Sequence, residues 1–262
     1  MELLQAITLG LIQGITEFIP VSSSGHLVLL PKLVGWQDQG LTFDVLLHGA
    51  TLLALLVVFW QDIVRIVKGF FSRRKKDRLL GWWLILGSIP AALVGFLGSA
   101  WFERARIAPI VAFSLIFWGV LMWVADRVRD KCGVTIKKSE HLRWHHAFFV
   151  GLAQAIALIP GTSRSGITIT AGLAAGMNRK ESVRFSFLLG IPVFFGATLL
   201  KTVEAAQNGI SASAAALLIG FVVAFLSGIF AIKFLLKFVE SHHLTVFVWY
   251  RIVLGVLVLI LL

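Results

Sequence analysis

Two short segments of this chain carry side chains suited to phosphate chemistry at close spacing. In the first, Gln13, Glu17, Ser22, Ser23, Ser24, Gly25 and His26 fall within fourteen positions. In the second, Gly161, Thr162, Ser163, Arg164, Ser165 and Thr168 fall within eight. Glu17 and His26 are proton carriers, and Ser23 is a hydroxyl that becomes a nucleophile once a base takes its proton. Arg164 offers a planar fork that holds two phosphate oxygens at once. Gln13 lies four residues before Glu17, on the same face of a helix, and supplies a second oxygen donor beside the carboxylate.

Each segment is interrupted by a proline, Pro20 or Pro160, followed by hydroxyls and glycine. A helix resuming after such a break presents free backbone N–H groups and about half a positive charge, a setting that favours phosphate. The plainer readings are helix capping for Ser22 and Ser24, an interhelical hydrogen bond for Gln13, and a purely structural pairing of Glu17 with Arg164. Both segments, however, sit in strongly apolar surroundings, where a charge is costly and marks function by default. Glu17, Ser23, His26 and Arg164 are therefore read as the reactive set. Asp44 and His48, four apart at a span end, read as a water-facing pair, and Arg251, near mid-span, as structural.

The elements that must position these residues follow from composition. Apolar residues make up 58% of the 262 positions and charged residues 14%, against about a quarter charged in a soluble domain. The charges are clustered between long uncharged runs, so the chain reads as a polytopic membrane protein. Its net charge of +11 resides mostly in short loops, without the interleaved exposed aromatics of a stacking platform, which excludes nucleic acid as a partner. The single cysteine, Cys132, excludes an internal disulfide. The N-terminus has neither a basic leader nor a small-residue cleavage site and reads as retained. The tryptophans read mostly as interfacial anchors.

A crossing helix needs about 20 apolar residues. Six segments qualify: 43–60, 79–99, 107–125, 184–203, 213–235 and 244–262. Residues 3–34 and 147–177 do not, because each is broken midway into halves too short to cross. Polar turns at membrane depth must be buried in protein or line a watery cavity, so both are expected to be re-entrant helical hairpins. Seven Lys/Arg lie in 61–78, six in 126–146 and three in 178–184, and none in 35–42 or 204–212. The basic segments share a side only if 147–177 re-enters, and that side should be the cytoplasm. Both termini and the first hairpin then face the outside.

The hairpins also resemble each other. At an offset of 141, Gly10, Gln13, Ile15, Ser22, Ser24, Gly25 and Gly49 fall on Gly151, Gln154, Ile156, Ser163, Ser165, Gly166 and Gly190. The expected fold is an all-α single membrane domain, 1–262, made of an inverted-topology repeat. Its halves, 1–127 and 141–262, each hold one hairpin and three transmembrane helices, and an odd number of spans inverts the second copy.

The segments 13–26, Gln-Gly-Ile-Thr-Glu-Phe-Ile-Pro-Val-Ser-Ser-Ser-Gly-His, and 160–168, Pro-Gly-Thr-Ser-Arg-Ser-Gly-Ile-Thr, resemble the two signatures of the bacterial undecaprenyl-diphosphatase family of the bacitracin-resistance type. The resemblance extends over essentially the whole chain. It implies hydrolysis of undecaprenyl pyrophosphate, a long-chain prenyl pyrophosphate lipid, to undecaprenyl phosphate, recycling the carrier for cell-wall synthesis. It also implies a divalent cation, Mg²⁺ or Ca²⁺, a homodimer, and a site on the periplasmic side of the bacterial inner membrane. Glu17, Ser23, His26 and Arg164 take the family's functional positions. Some members carry Glu where this chain has Gln13, so a two-carboxylate metal site is not expected here. Ser23, His26 and metal-activated water all stay open as nucleophile, and His26 and Glu17 as proton carrier.

Three rival readings fit the residues less well. A phosphatidate-phosphatase type site needs a histidine after Ser-Arg, and Arg164 is followed instead by Ser-Gly-Ile-Thr-Ile-Thr-Ala-Gly. A structural scaffold does not account for Glu17 and Arg164 at membrane depth. A transporter or lipid flippase fits the same symmetry, but it needs no nucleophile.

Overall fold

Apolar side chains cover the outside of this molecule and polar ones enter its interior, the reverse of a water-soluble protein. The computed structural model describes all residues except 1–2, 37–40, 73, 106, 133–135, 137–140, 209–212 and 262. Phe96, Leu97, Phe113, Trp249 and Ile260 are largely exposed, whereas Gln13, Thr168, Ser186 and Arg251 are fully buried. Apolar surface of that extent is stable only against lipid.

The described residues form α1 (Leu3–Phe18), α2 (Ser23–Val34), α3 (Leu41–Val58), α4 (Trp60–Phe70), α5 (Lys75–Arg104), α6 (Ala108–Cys132), α7 (Trp144–Ile156), α8 (Arg164–Ala174), α9 (Arg179–Asn208), α10 (Ala214–Phe238) and α11 (Thr245–Leu261). The one extended pairing among them joins Ile136 to Met177. Four helices, α5, α6, α9 and α10, are each long and apolar enough to cross a membrane, and α3 with α4 makes a fifth if the bent pair is one span. The protein is thus a multi-pass, all-helical membrane protein.

Two of the six expected spans differ in detail. The one expected over 43–60 ends at Val58, and the chain turns by 73° into α4. Most of 61–78, expected as a loop, is therefore helix. Ile63, Ile66 and Phe70, spaced three and four apart, pack α4 onto the core. The last expected span, 244–262, is α11, whose 17 residues lie at the lower limit for a crossing. Arg73, Lys137 and Lys138, counted among the loop cations, and both chain ends lie outside the described residues.

Close crossings of small residues set the helix packing. A Cβ on Gly10 of α1 would stand 2.6 Å from the Gly220 carbonyl oxygen of α10, and one on Gly14 2.4 Å from that of Ala224. Gly151 of α7 meets Gly87 of α5 in the same way, at 2.4 Å. Such positions let backbones approach where lipid provides no hydrophobic drive for association. Among the other contacts, α1 packs on α2 and α7 on α8, and α8 wedges between α6 and α9.

The basic segments gather at one end of the bundle. Arg179, at the start of α9, reaches Asp126 and Asp130 at the end of α6, at 2.5 and 2.7 Å. The other Asp126 oxygen accepts from the Leu244 amide just before α11, at 3.0 Å. Arg184 pairs with Asp62 of α4, and Lys180 with Glu240 just past α10. Ile136, beyond α6, accepts from the Asn178 amide beyond α8 at 3.2 Å. The α7–α8 stretch therefore returns to this same end, and Trp83 fixes its entrance by donating to the Leu142 carbonyl at 3.2 Å.

Candidate active site

α2 and α8 both begin from a serine held in an unusual backbone conformation. Ser22 has φ 76° and ψ 94°, and Ser163 φ 70° and ψ 111°. For residues with a Cβ such angles cost about 1–3 kcal/mol each and tend to persist where structure elsewhere enforces them. Each hydroxyl accepts from the amide three residues on, Gly25 at 3.3 Å and Gly166 at 3.1 Å. Each also shares a hydrogen bond with the serine two residues on, Ser24 at 3.3 Å and Ser165 at 3.2 Å. Of Ser22, Ser24, Ser163 and Ser165, expected among the phosphate-binding residues, Ser22 and Ser163 are in the first place a matched pair of helix caps, and Ser24 and Ser165 are bonded to them.

Arg251 of α11 enforces both turns. It is completely buried, and its Nη2 donates to the carbonyls of Thr162 at 2.9 Å, Gly161 at 3.2 Å and Ser114 at 3.3 Å. Its Nε donates to Leu115 O at 3.1 Å and its Nη1 to Pro20 O at 3.4 Å. The expected structural role for this arginine is met by five carbonyls. Gly161, with φ 85°, lies so close to α6 that a Cβ would stand 2.5 Å from the Val111 oxygen.

These turns deliver the reactive groups. Glu17, in the last turn of α1, receives the Ser23 hydroxyl at 2.7 Å and the Gln13 amide nitrogen at 3.1 Å, both on Oε2. Its Oε1 faces Arg164 Nη2 at 3.7 Å. The Arg164 guanidinium lies 4.3 Å over the Phe194 ring and donates through Nη1 to Ser186 O at 3.1 Å. Its Nε and Nη2 are buried without a hydrogen-bond partner. Buried donors without a hydrogen bond are costly, and Nε together with Nη2, which meets Glu17 only as a loose ion pair, can still donate to an anion. Gly190 makes room for the guanidinium, since a Cβ there would stand 2.6 Å from Nη1.

The remaining expected residues do not all converge. Thr168 spends its hydroxyl on Arg164 O at 2.7 Å and on the Ser186 hydroxyl at 2.6 Å. Thr162 gives its carbonyl to Arg251, while its buried hydroxyl has no partner. The His48 ring bonds the Asp44 carbonyl of its own helix at 2.8 Å, outside this cluster. His26 lies one turn from Ser22 but bonds neither Glu17 nor Ser23. Its Nδ1 donates to the Ser22 carbonyl at 2.7 Å, because a carbonyl only accepts. In the neutral ring Nε2 is then the acceptor, and the Tyr250 hydroxyl donates to it at 2.7 Å.

Tyr250 was not singled out by the sequence reading. It is the single tyrosine of the chain and the immediate neighbour of mid-span Arg251, and that isolation was the available signal. Gln154 is a second. It is buried with both amide atoms unpaired, at the position matching Gln13 under the 141-residue offset. At the same offset Leu158 stands for Glu17, Arg164 for Ser23 and Ile167 for His26. The acid, hydroxyl and imidazole thus belong to the first segment and the cation to the second.

No group of three or more His, Cys, Asp and Glu side chains able to share a cation occurs among the described residues. Glu17 and Gln13 make a smaller set, in which Gln13 turns its Nε2 to the carboxylate and its buried Oε1 is left without a partner, an oxygen that reaches a shared ion once the amide turns over. That set fits a Mg²⁺ or Ca²⁺ ion completed by substrate phosphate oxygens, and not one held by protein alone.

Fold and side-chain geometry together define an integral-membrane protein whose interior gathers the Ser23 hydroxyl and the Arg164 guanidinium around one buried carboxylate, Glu17. A sequence-family profile described as "Bacitracin resistance protein BacA" matches residues 6–257, and the chain belongs to that family. It is 45% identical over 98% of its length to undecaprenyl-diphosphatase 1 of Pseudoalteromonas translucida, covering 97% of that protein. It is 46% identical over 100% of its length to undecaprenyl-diphosphatase of Trichlorobacter lovleyi, covering 98%. To undecaprenyl-diphosphatase of Moorella thermoacetica it is 43% identical over 98% of its length, covering 97%.

Proposed function

We propose that this protein hydrolyses undecaprenyl diphosphate to undecaprenyl phosphate and inorganic phosphate. The observation that carries this reading is the 2.7 Å hydrogen bond from Ser23 to Glu17, whose other oxygen meets an Arg164 fork with two donors not yet hydrogen-bonded. Family membership and the names of the relatives agree with it. A carrier that only translocates a headgroup has no use for a hydroxyl bonded to a base, so the pair favours hydrolysis over transport.

Arg164 and the α2 and α8 N-termini bind the terminal phosphate and offset the charge that builds on its oxygens. Ser23 Oγ attacks that phosphorus as Glu17 Oε2 takes its proton. The bond from phosphorus to the bridging oxygen breaks, and undecaprenyl phosphate leaves with that oxygen. Glu17 passes that proton to the departing oxygen. Water then attacks the phosphoserine, losing a proton to Glu17, which hands it to Ser23 Oγ as the P–Oγ bond breaks and phosphate leaves. Glu17 is the base because both His26 nitrogens are committed, to Ser22 and to Tyr250. Gln13 Oε1 and Glu17 would hold a divalent cation, which supplies charge neutralisation at the diphosphate.

An apolar cleft of about 360 Å³, lined in part by Pro109, Phe113, Phe117, Trp118 and Ile159, lies beside the second turn on the lipid-facing side of α6. It suits the first isoprene units of the substrate. The matched Ser22 and Ser163 caps and the paired Gly10–Gly220 and Gly151–Gly87 crossings support an inverted repeat of two halves, 1–127 and 141–262, with α1–α2 and α7–α8 as re-entrant hairpins. The basic end then faces the cytoplasm of the bacterial plasma membrane, and the first hairpin opens from the periplasmic side.

The test is phosphate release from a long-chain prenyl diphosphate by the purified protein, with Mg²⁺ and with chelator, alongside Ser23→Ala and Arg164→Ala. Metal-dependent release lost in both variants supports the reading. Release that survives Ser23→Ala removes the serine as nucleophile. A wild-type protein that binds the lipid but releases nothing points to transport.

A further inference from the structure

At the basic end of the bundle, α4 leaves α3 at 73° and so runs close to the membrane plane if α3 crosses it. One face of α4 is buried through Ile66, as described. The opposite face shows Trp60, Val64, Val67 and Phe71, spaced four, three and four apart, and Trp60, Val67 and Phe71 are at least half exposed. An exposed apolar stripe of this period is a surface for acyl chains. Beside it Arg65, Lys68 and Arg74 join Trp60, Gln61 and Val64 around a cleft of about 300 Å³.

The cations are not equivalent. Arg65 is paired with Asp77 at 3.2 Å and with Asp62 at 3.6 Å. No carboxylate among the described residues pairs with Lys68 or Arg74, in contrast to Arg179, Lys180 and Arg184 at the same end. Two free positive charges thus converge on a cleft whose lip is a tryptophan and whose outer edge is apolar. Basic pockets at this depth on the cytoplasmic side recognise acidic lipid headgroups.

We propose that this cleft binds an anionic phospholipid of the cytoplasmic leaflet. Lys68 and Arg74 hold its phosphate, and the Trp60–Val64–Val67–Phe71 stripe lies along its acyl chains. The site is separate from the Glu17–Arg164 centre; its leaflet rests on the orientation proposed above, and its binding does not depend on the reaction.

Native mass spectrometry of the full chain in detergent, titrated with phosphatidylglycerol or with phosphatidylcholine of the same acyl chains, tests it. Phosphatidylglycerol should bind more tightly, and each cation removed from the pair should weaken it about fivefold, so that K68A/R74A abolishes most of the preference. Lys237→Ala, an exposed lysine of α10 at the same end, should leave binding unchanged. If K68A/R74A does not elute as a folded species, K68Q/R74Q takes its place. Equal retention of the two lipids, an undiminished preference in the double variant, or an equal loss in Lys237→Ala overturns the proposal. So does full displacement of phosphatidylglycerol by an equimolar amount of inorganic phosphate, which would mark a site for free anions.

Discussion

The Ser23 hydroxyl meets the Glu17 carboxylate at 2.7 Å across a break between two helices. Six positions of continuous helix would not bring those side chains to one face. The turn at Ile19–Ser22 breaks the helix and presents the first residue of α2 to the last turn of α1. Proximity of base and nucleophile is therefore a property of the turn, and whatever holds the turn holds the chemistry.

Removing either partner should stop the reaction without unfolding the protein. Ser23→Ala and Glu17→Gln are each expected to lower kcat by about 10²–10⁴, with similar melting temperatures. The double variant should be little worse than either single one, because the two act as a unit. Single-turnover phosphate release read against thermal melting checks this.

Arg164 should be as sensitive to its surroundings as to its own identity. Arg164→Lys keeps the charge but loses the fork and is expected to cost about 10²-fold in kcat/KM. Gly190→Ala changes no reactive residue yet puts a methyl 2.6 Å from Nη1, so that the guanidinium must shift. It should lower kcat/KM in the same direction, and a Gly190→Ala enzyme with wild-type kinetics would show that Arg164 is not placed as described.

Tyr250→Phe removes one hydroxyl, the donor to His26 Nε2. The expected effect is a drop of about tenfold in kcat with little change in KM, the size of one hydrogen bond to a positioned ring. Nitrogen NMR of labelled histidine should show the His26 Nε2 signal move in the variant while other histidines stay put. A variant whose His26 signal is unmoved would contradict the assignment.

Gln13→Glu adds a second carboxylate beside Glu17. It should lower the concentration of Mg²⁺ needed for half-maximal phosphate release, and Gln13→Ala should raise it. Chelator should abolish release from the wild type, with recovery on adding Mg²⁺ or Ca²⁺.

Arg251→Met should act on folding. It takes the donor from the carbonyls of Pro20, Gly161 and Thr162 and is expected to destabilise by about 1–3 kcal/mol for each one left unsatisfied. The readout is a large fall in melting temperature and in yield of monodisperse protein.

Much of this could be read from residue types alone. Pro20 and Pro160 break apolar runs that would otherwise cross, and a glutamate and an arginine at those breaks have no inexpensive alternative to a shared site. Other features were hidden for definite reasons. The charges of α4, Arg65 and Lys68, give 61–78 the look of a loop, because an amphipathic helix packed by one edge needs only a few apolar residues at helical spacing. The partners of Arg251 are carbonyls, which no letter of the sequence records. Tyr250 reaches His26 across 224 positions, a contact that only the packing of α11 against α6 and the turns creates. The capping role of Ser22 and Ser163 depends on backbone angles that their identity does not announce.

The clamp made by Arg251 also orders events in time. The ribosome releases the chain from its N-terminus, so the turns at Pro20 and Gly161 emerge long before the residue whose guanidinium closes on both. Until α11 inserts, the carbonyls of Pro20, Gly161 and Thr162 lack the donors that hold them in the finished protein. The two halves of the centre are made early and locked late, and a nascent chain that stops short of Arg251 carries every reactive side chain named here without the fastening that aligns them.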